Sequence, residues 1–379
     1  MTPSLPLLAV TALVTGLLGA PGREVSPVGD VVEHVAGHAS GTYWTPQRMA
    51  RAVPIGLLGG LRRITAARPG AQSVLPPAVP PGSVLPSVPP GSVLPSVPPG
   101  SVLPSVARAA LPPVAGAVLA PGQAARRSTA TTRTTRASRT ARTRQAAAMP
   151  PATTSGTRWA AGGSVTRTTG RVFLTLNGVD FSCSASAVRS ANRDLVVTAG
   201  HCVKDGAGDW AENWTFVPGY DEGRQPYGAF PARRMFVAGP WSRSGNDDYD
   251  VGMVAVDDLD GQHLTDLVGG QPIAFDPPRS RRTYGFGFPA DPPYDGERLL
   301  YCAGVPHGDP QGQTRDQGLR CDLTAGASGG PWLSGFDPAS GRGTLTSVSS
   351  FKYSNDHRTM YGPYFGSAVH DLFRTAERA

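Results

Sequence analysis

From about Arg171 onward the chain is a succession of short β-rich runs, cut by clusters of Gly, Pro, Asp and Asn. The runs cover 171–176, 181–188, 194–200, 213–220, 232–238, 249–256, 283–288, 298–304, 319–323 and 343–353. Runs of this length between turn formers read as strands. Many of them at this spacing restrict the fold to an all-β barrel or sandwich. The end of the chain departs from the pattern. Val369, Leu372, Phe373 and Ala376 fall on one face of a terminal helix. Roughly two hundred residues are enough to bury a substantial core.

The preceding half has a different chemistry. Residues 1–170 carry 16 Lys+Arg against 3 acids, a net of +13, whereas residues 171–379 carry 19 against 25, a net of −6. The overall +7 therefore describes the leader and not the β-rich half. Residues 1–22 read as a signal peptide, with the apolar run 5–20 as its h-region. MTPS contains no Lys or Arg, and Pro21 makes a poor cleavage context, so the cut site stays open. Residues 23–72 give no clear signal and are a candidate pro-region. Residues 73–106 repeat SVLPSVPPG from Ser83, Ser92 and Ser101, after a variant from Ser73. Proline this dense lacks the N–H donors of a helix or central strand, so the segment reads as a stiff, extended spacer. Residues 107–164 are rich in Arg, Thr and Ala and read as a disordered linker or maturation segment. Binding of an anionic cell-wall polymer through the Arg tract is the electrostatic alternative. Nucleic acid is not expected, because Trp159 is the sole aromatic from 107 to 170 and stacking has no platform.

Three motifs carry chemistry. His201 follows an apolar run in LVVTAGHCV, Asp250 opens one in NDDYDVGMV, and Ser328 lies in a glycine-rich turn in TAGASGGPW. Asp247 and Asp248 compete with Asp250 for the acid role. Asp250 is preferred because VGMV follows it directly and places it at the mouth of a strand. A serine hydroxyl is a poor nucleophile until a base accepts its proton, and a histidine held by a buried carboxylate is such a base. No pair of cysteines has the close CxxC spacing of zinc ligands, so neither a metal nor another cofactor is expected. His34, His38, His263, His307, His357 and His370 show no ligand pattern. Asn213-Trp214-Thr215 fits a glycosylation sequon but reads as a strand.

With TAGHC (198–202), YDVGMV (249–254) and GASGGPW (326–332) in the order His, Asp, Ser, residues 165–379 resemble the trypsin/chymotrypsin-like serine peptidases, in particular secreted bacterial members. The resemblance implies two six-stranded antiparallel β-barrels with a C-terminal helix, here preceded by a disordered N-terminal region. It implies a Ser328–His201–Asp250 triad, with an oxyanion hole from the N–H groups of Gly326 and Ser328. It pairs Cys183 with Cys202 and Cys302 with Cys321, as suits an oxidising, extracellular compartment. Two positions depart from the common pattern. Ala327 replaces the acid that pairs with a newly cut N-terminus in animal members, so a leader would have to act by blocking, tethering or chaperoning. Asp322 stands at the offset of the acid that selects Arg and Lys, while Thr324, Ser349 and Ser350 offer the hydroxyls of Glu-specific pockets. The implied function is a secreted, monomeric endopeptidase acting on polypeptides. A catalytically degenerate wall-binding protein and a serine esterase are the alternatives.

Overall fold

The computed structural model describes residues 30–37, 43–56 and 152–379. The expected signal peptide, the Pro-rich spacer, residues 107–151 of the expected linker and His38 lie outside the described residues. In chain order come β1 (Val31–Val35), α1 (Pro46–Arg51), β2 (Val53–Pro54), β3 (Thr153–Arg158) and α2 (Ser164–Thr168). Next are β4 (Thr169–Leu176), β5 (Val179–Ala187), β6 (Leu195–Thr198), β7 (Glu212–Pro218), β8 (Phe230–Ala238), α3 (Gly239–Ser244) and β9 (Gly252–Val256). The remainder comprises α4 (Leu264–Val268), β10 (Thr283–Gly287), β11 (Leu300–Gly304), β12 (His307–Gly308) and β13 (Gln317–Arg320). It ends with β14 (Pro331–Asp337), β15 (Arg342–Val348), β16 (Phe351–Tyr353), β17 (Asp356–Gly362) and α5 (Ser367–Ala376).

Strands β4 to β9 close a six-stranded antiparallel barrel in the order β8-β7-β4-β5-β6-β9, with β9 returning to β8. Successive side chains on a strand point to opposite faces, and the two faces here enter two different cores. Val172, Leu174 and Leu176 of β4, Phe181, Cys183 and Ala185 of β5, and Val254 and Val256 of β9 share one cluster. Phe173, Met253 and Ala255, one residue out of phase, join the other cluster with Tyr284, Phe286 and Phe288 of the second half. Burial on both faces explains why these strands read as nearly continuous apolar runs. The expected helix is α5, with Val369, Leu372 and Ala376 buried.

The second half is a second antiparallel assembly, packed on the first through a shared core. Its strands make a five-stranded sheet, β15-β14-β10-β11-β3, and a four-stranded sheet, β12-β13-β17-β16. The chain changes sheet at Ser349 and Ser350, whose N–H groups donate to Gly330 O (2.9 Å) and Tyr361 O (2.8 Å). No ladder joins β11 to β13 among the described residues, and the Cys302–Cys321 disulfide ties the two sheets at that gap.

The expectation of disorder is corrected in two places. Residues 152–164, placed in the linker, are ordered: β3 pairs with β11, and Trp159 packs edge-on against Phe286, Tyr301 and Phe336. Residues 30–37 and 43–56 of the N-terminal region are also ordered against the barrel. There β1 pairs antiparallel with β8 along Val31↔Ala238 to Val35↔Arg234, beyond the point where β7 ends. The Thr45 hydroxyl caps α1, accepting from the Arg48 N–H at 3.2 Å, and Pro46 fills the first turn where no N–H is needed. Met49, Ala52 and Ile55 are buried, which gives this short segment the apolar anchors that stabilise its docking.

Candidate active site

His201 lies in the 3-10 turn Gly200–Cys202, just after β6, and is held from both sides. The Cys183–Cys202 disulfide ties its neighbour to β5, and the Trp214 indole donates to Cys202 O at 2.9 Å. Asp250 caps the 3-10 turn Asp247–Tyr249, two residues before β9, which pairs with β6. Strand pairing thus brings residues separated by 49 positions face to face. The His201 Nδ1 meets Asp250 Oδ2 at 2.8 Å, and the His201 backbone N–H donates to Oδ1, also at 2.8 Å. The Ser350 hydroxyl donates to Oδ2. Asp250 is 1% exposed. Burial alone would push its carboxyl up, but the His201 charge and hydrogen bond, the Ser350 hydroxyl and the His201 N–H together hold it below the usual carboxylate range. Asp248, a rival for this role, instead faces Arg315, accepting from its backbone N–H (2.7 Å) and its Nε (2.8 Å).

Ser328 occupies the turn between β13 and β14 and is 6% exposed. Its carbonyl accepts from Ser184 N–H of β5 at 2.8 Å, so the serine of the second half is fixed to the first barrel. The Ser184 hydroxyl donates to Gly326 O at 2.8 Å and accepts from Phe288 N–H at 2.9 Å, locking the loop from below. The turn demands glycine. Gly329 has φ +77°, and a Cβ there would lie 2.0 Å from Thr198 Oγ1. Gly326 has φ +91°, and a Cβ there would lie 2.8 Å from Phe288 O. The His201 Nε2 is buried and has no hydrogen-bond partner among the described residues, Ser328 Oγ included.

Both disulfides pair as the resemblance implied. Asp322 has partners that the sequence did not foretell: Oδ1 accepts from Gly156 N–H of β3 and from the Tyr294 hydroxyl, each at 2.7 Å. Burial, then the hydrogen bond to Asp322, push the Tyr294 phenol up to about 12. Lys352 lies close enough to Asp322 to feel its charge and donates to Cys321 O (2.8 Å) and His357 O (2.6 Å). Ser350, read as a pocket hydroxyl, instead contacts Asp250. Thr324 is occupied with Asp291, and Ser349 Oγ accepts from the Trp332 indole. The cluster of potential metal ligands among the described residues is Cys183, His201 and Cys202, whose two sulfurs are bonded to each other and offer no thiolate.

No protein-family model matches the chain. Among solved structures it is similar to the protease Anisep of Arthrobacter nicotinovorans, at 38% identity and a TM-score of 0.54, covering 56% of this chain and 96% of that one. It is also similar to a thermostable serine protease from an extremophilic microorganism, at 35% identity and a TM-score of 0.54, covering 57% of this chain and 99% of that one. Of curated proteins it resembles the glutamyl endopeptidase of Bacillus licheniformis, 33% identical over 91 residues, a match spanning 24% of this chain and 28% of that protein. A closed barrel joined to a second antiparallel assembly, with likeness along nearly the whole length of solved proteases, places this chain in the trypsin-like serine protease family.

Proposed function

We propose that the chain is a secreted serine endopeptidase in which Ser328 is the nucleophile, His201 the general base and acid, and Asp250 the residue that orients His201. The observation that carries this reading is the buried Asp250 carboxylate bonded to His201 Nδ1. With the proton on Nδ1 engaged there, the lone pair of the neutral ring falls on Nε2, the atom that can accept the Ser328 proton. Ser328 Oγ then adds to the scissile carbonyl carbon as its proton passes to Nε2. The N–H groups of Gly326 and Ser328 receive the oxyanion. Collapse breaks the C–N bond, the leaving amine takes the proton from Nε2, and an acyl-serine remains. Water, deprotonated by the same nitrogen, attacks the ester and restores the hydroxyl. The Asp250 charge stabilises the imidazolium in both halves of the cycle.

The Cys183–Cys202 and Cys302–Cys321 disulfides, together with the apolar run 5–20, support an oxidising, extracellular location. Digestion of a peptide library, run beside a matched set of ester substrates, tests the reading. Peptide cleavage that disappears in a folded His201→Ala variant is expected. Ester turnover without peptide cleavage would replace it with the esterase alternative.

A further inference from the structure

The geometry points to residues 43–56 as an inhibitor built into the chain, which occupies the cleft in front of Ser328; this inference rests on the endopeptidase reading above. The Gly326 N–H, one of the two oxyanion donors, donates to the carbonyl of Ile55 at 3.3 Å. The Ile55 N–H donates to Ser182 O at 3.0 Å, and β2 runs parallel to β5 with Val53 opposite Phe181 and Pro54 opposite Ser182. The backbone of Gly56 follows directly in front of the nucleophile. A Cβ on Gly56 would be 3.8 Å from Ser328 Oγ and 3.3 Å from Ala325 Cβ, at a φ of +124° that other residues rarely adopt. Glycine therefore lets the chain pass this close to the serine loop.

The rest of the segment is a tether designed for hold and not for chemistry. The Tyr43 hydroxyl bonds Asp180 at 2.9 Å, Arg48 pairs with the same carboxylate, and the Trp44 indole donates to Asn213 O at 2.6 Å. Ile55 is buried in the barrel cluster that contains Cys183 and Cys202. A peptide substrate that needs the Gly326 donor meets a carbonyl already there. Because the segment and the protease are one chain, its local concentration is high and does not fall on dilution. They are connected through residues 57–151, which contain eleven Arg and no Lys. Hydrolysis of one peptide bond there by water turns the tethered inhibitor into a dissociable one.

The test uses the full chain, labelled at Ser328 by a fluorophosphonate, with Gly56→Val and Ile55→Asp as release variants and hydrogen exchange read on the unaltered protein. Labelling at least tenfold faster in either folded variant, or after a cut within 57–151, is expected. In the unaltered chain the Ile55 amide should be protected and should lose that protection once Ser328 is labelled. Equally fast labelling of the unaltered chain, or rapid exchange at Ile55, would overturn the inference and leave the endopeptidase reading standing. Absence of labelling in every folded form would remove that reading, and the inhibitor with it.

Discussion

At the scale of single residues, the site is a set of short hydrogen bonds converging on one buried carboxylate. The sequence singles out His201, Asp250 and Ser328 by local context, and the structure brings His201 and Asp250 into contact at 2.8 Å. Ser350 was not legible in its actual contact. Its bond to Asp250 joins residues 100 positions apart, and nothing in the intervening spacing encodes it. A hydrogen bond to a charged acceptor is worth about 1.5–3 kcal/mol. Ser350→Ala should therefore lower kcat by roughly 10- to 100-fold, with little change in KM, measured by steady-state kinetics on the activated enzyme. Lys352 makes a second residue-scale prediction. Burial lowers its pKa to about 8, against the opposing pull of Asp322 and Asp356. Between pH 8 and the ordinary lysine value the unfolded chain binds more protons than the folded one, so stability rises with pH across that window. Urea denaturation at pH 7.5 and pH 10 should show a gain on the order of 1–3 kcal/mol that Lys352→Met abolishes.

At the scale of elements, every strand of the first barrel was legible, and the second half was legible in part: the runs 283–288, 298–304, 319–323 and 343–353 fall on β10, β11, β13 and β15–β16, whereas β3, β14 and β17 have no such run. The strands of the barrel alternate between two cores, so their apolar content is high and their boundaries clear. The second half depends on which strands pair, and register there is set by a change of sheet at Ser349–Ser350 and by a disulfide. β3 is not legible because TTSGTR is an edge strand whose side chains are mostly exposed, with no apolar alternation to mark it. The Cys302–Cys321 bridge spans 19 positions across the gap between the two sheets. Replacing both cysteines by alanine should cost about 3 kcal/mol in the chain-entropy account, read as a lower midpoint in denaturant. The Cys183–Cys202 bridge should be costlier to activity, since it carries the His201 turn, whereas loss of Cys302–Cys321 should fall mainly on stability.

For the whole molecule, the leader and the protease divide the chain unevenly. Composition distinguishes the two in charge, but the sequence of residues 30–37 and 43–56 gave no sign that they dock. A six-residue helix and a two-residue strand are too short for periodicity to be read. Their stability comes from tertiary contacts at Met49, Ala52 and Ile55 and from β1 completing the edge of β8. Ala327, directly before Ser328, is uncharged, so no new N-terminus can pair with an acid at that position. A cover laid over the cleft gives such a chain a different means of staying inactive until it is cut. The central claim is that Ser328, activated by His201, attacks acyl carbons. Its most direct measurement is mapping of a fluorophosphonate adduct by mass spectrometry, on the full chain before and after limited proteolysis within 57–151. The account predicts a single adduct on Ser328 that is absent from a folded His201→Ala protein. A folded chain with both disulfides intact and no adduct on Ser328 in either form would contradict it.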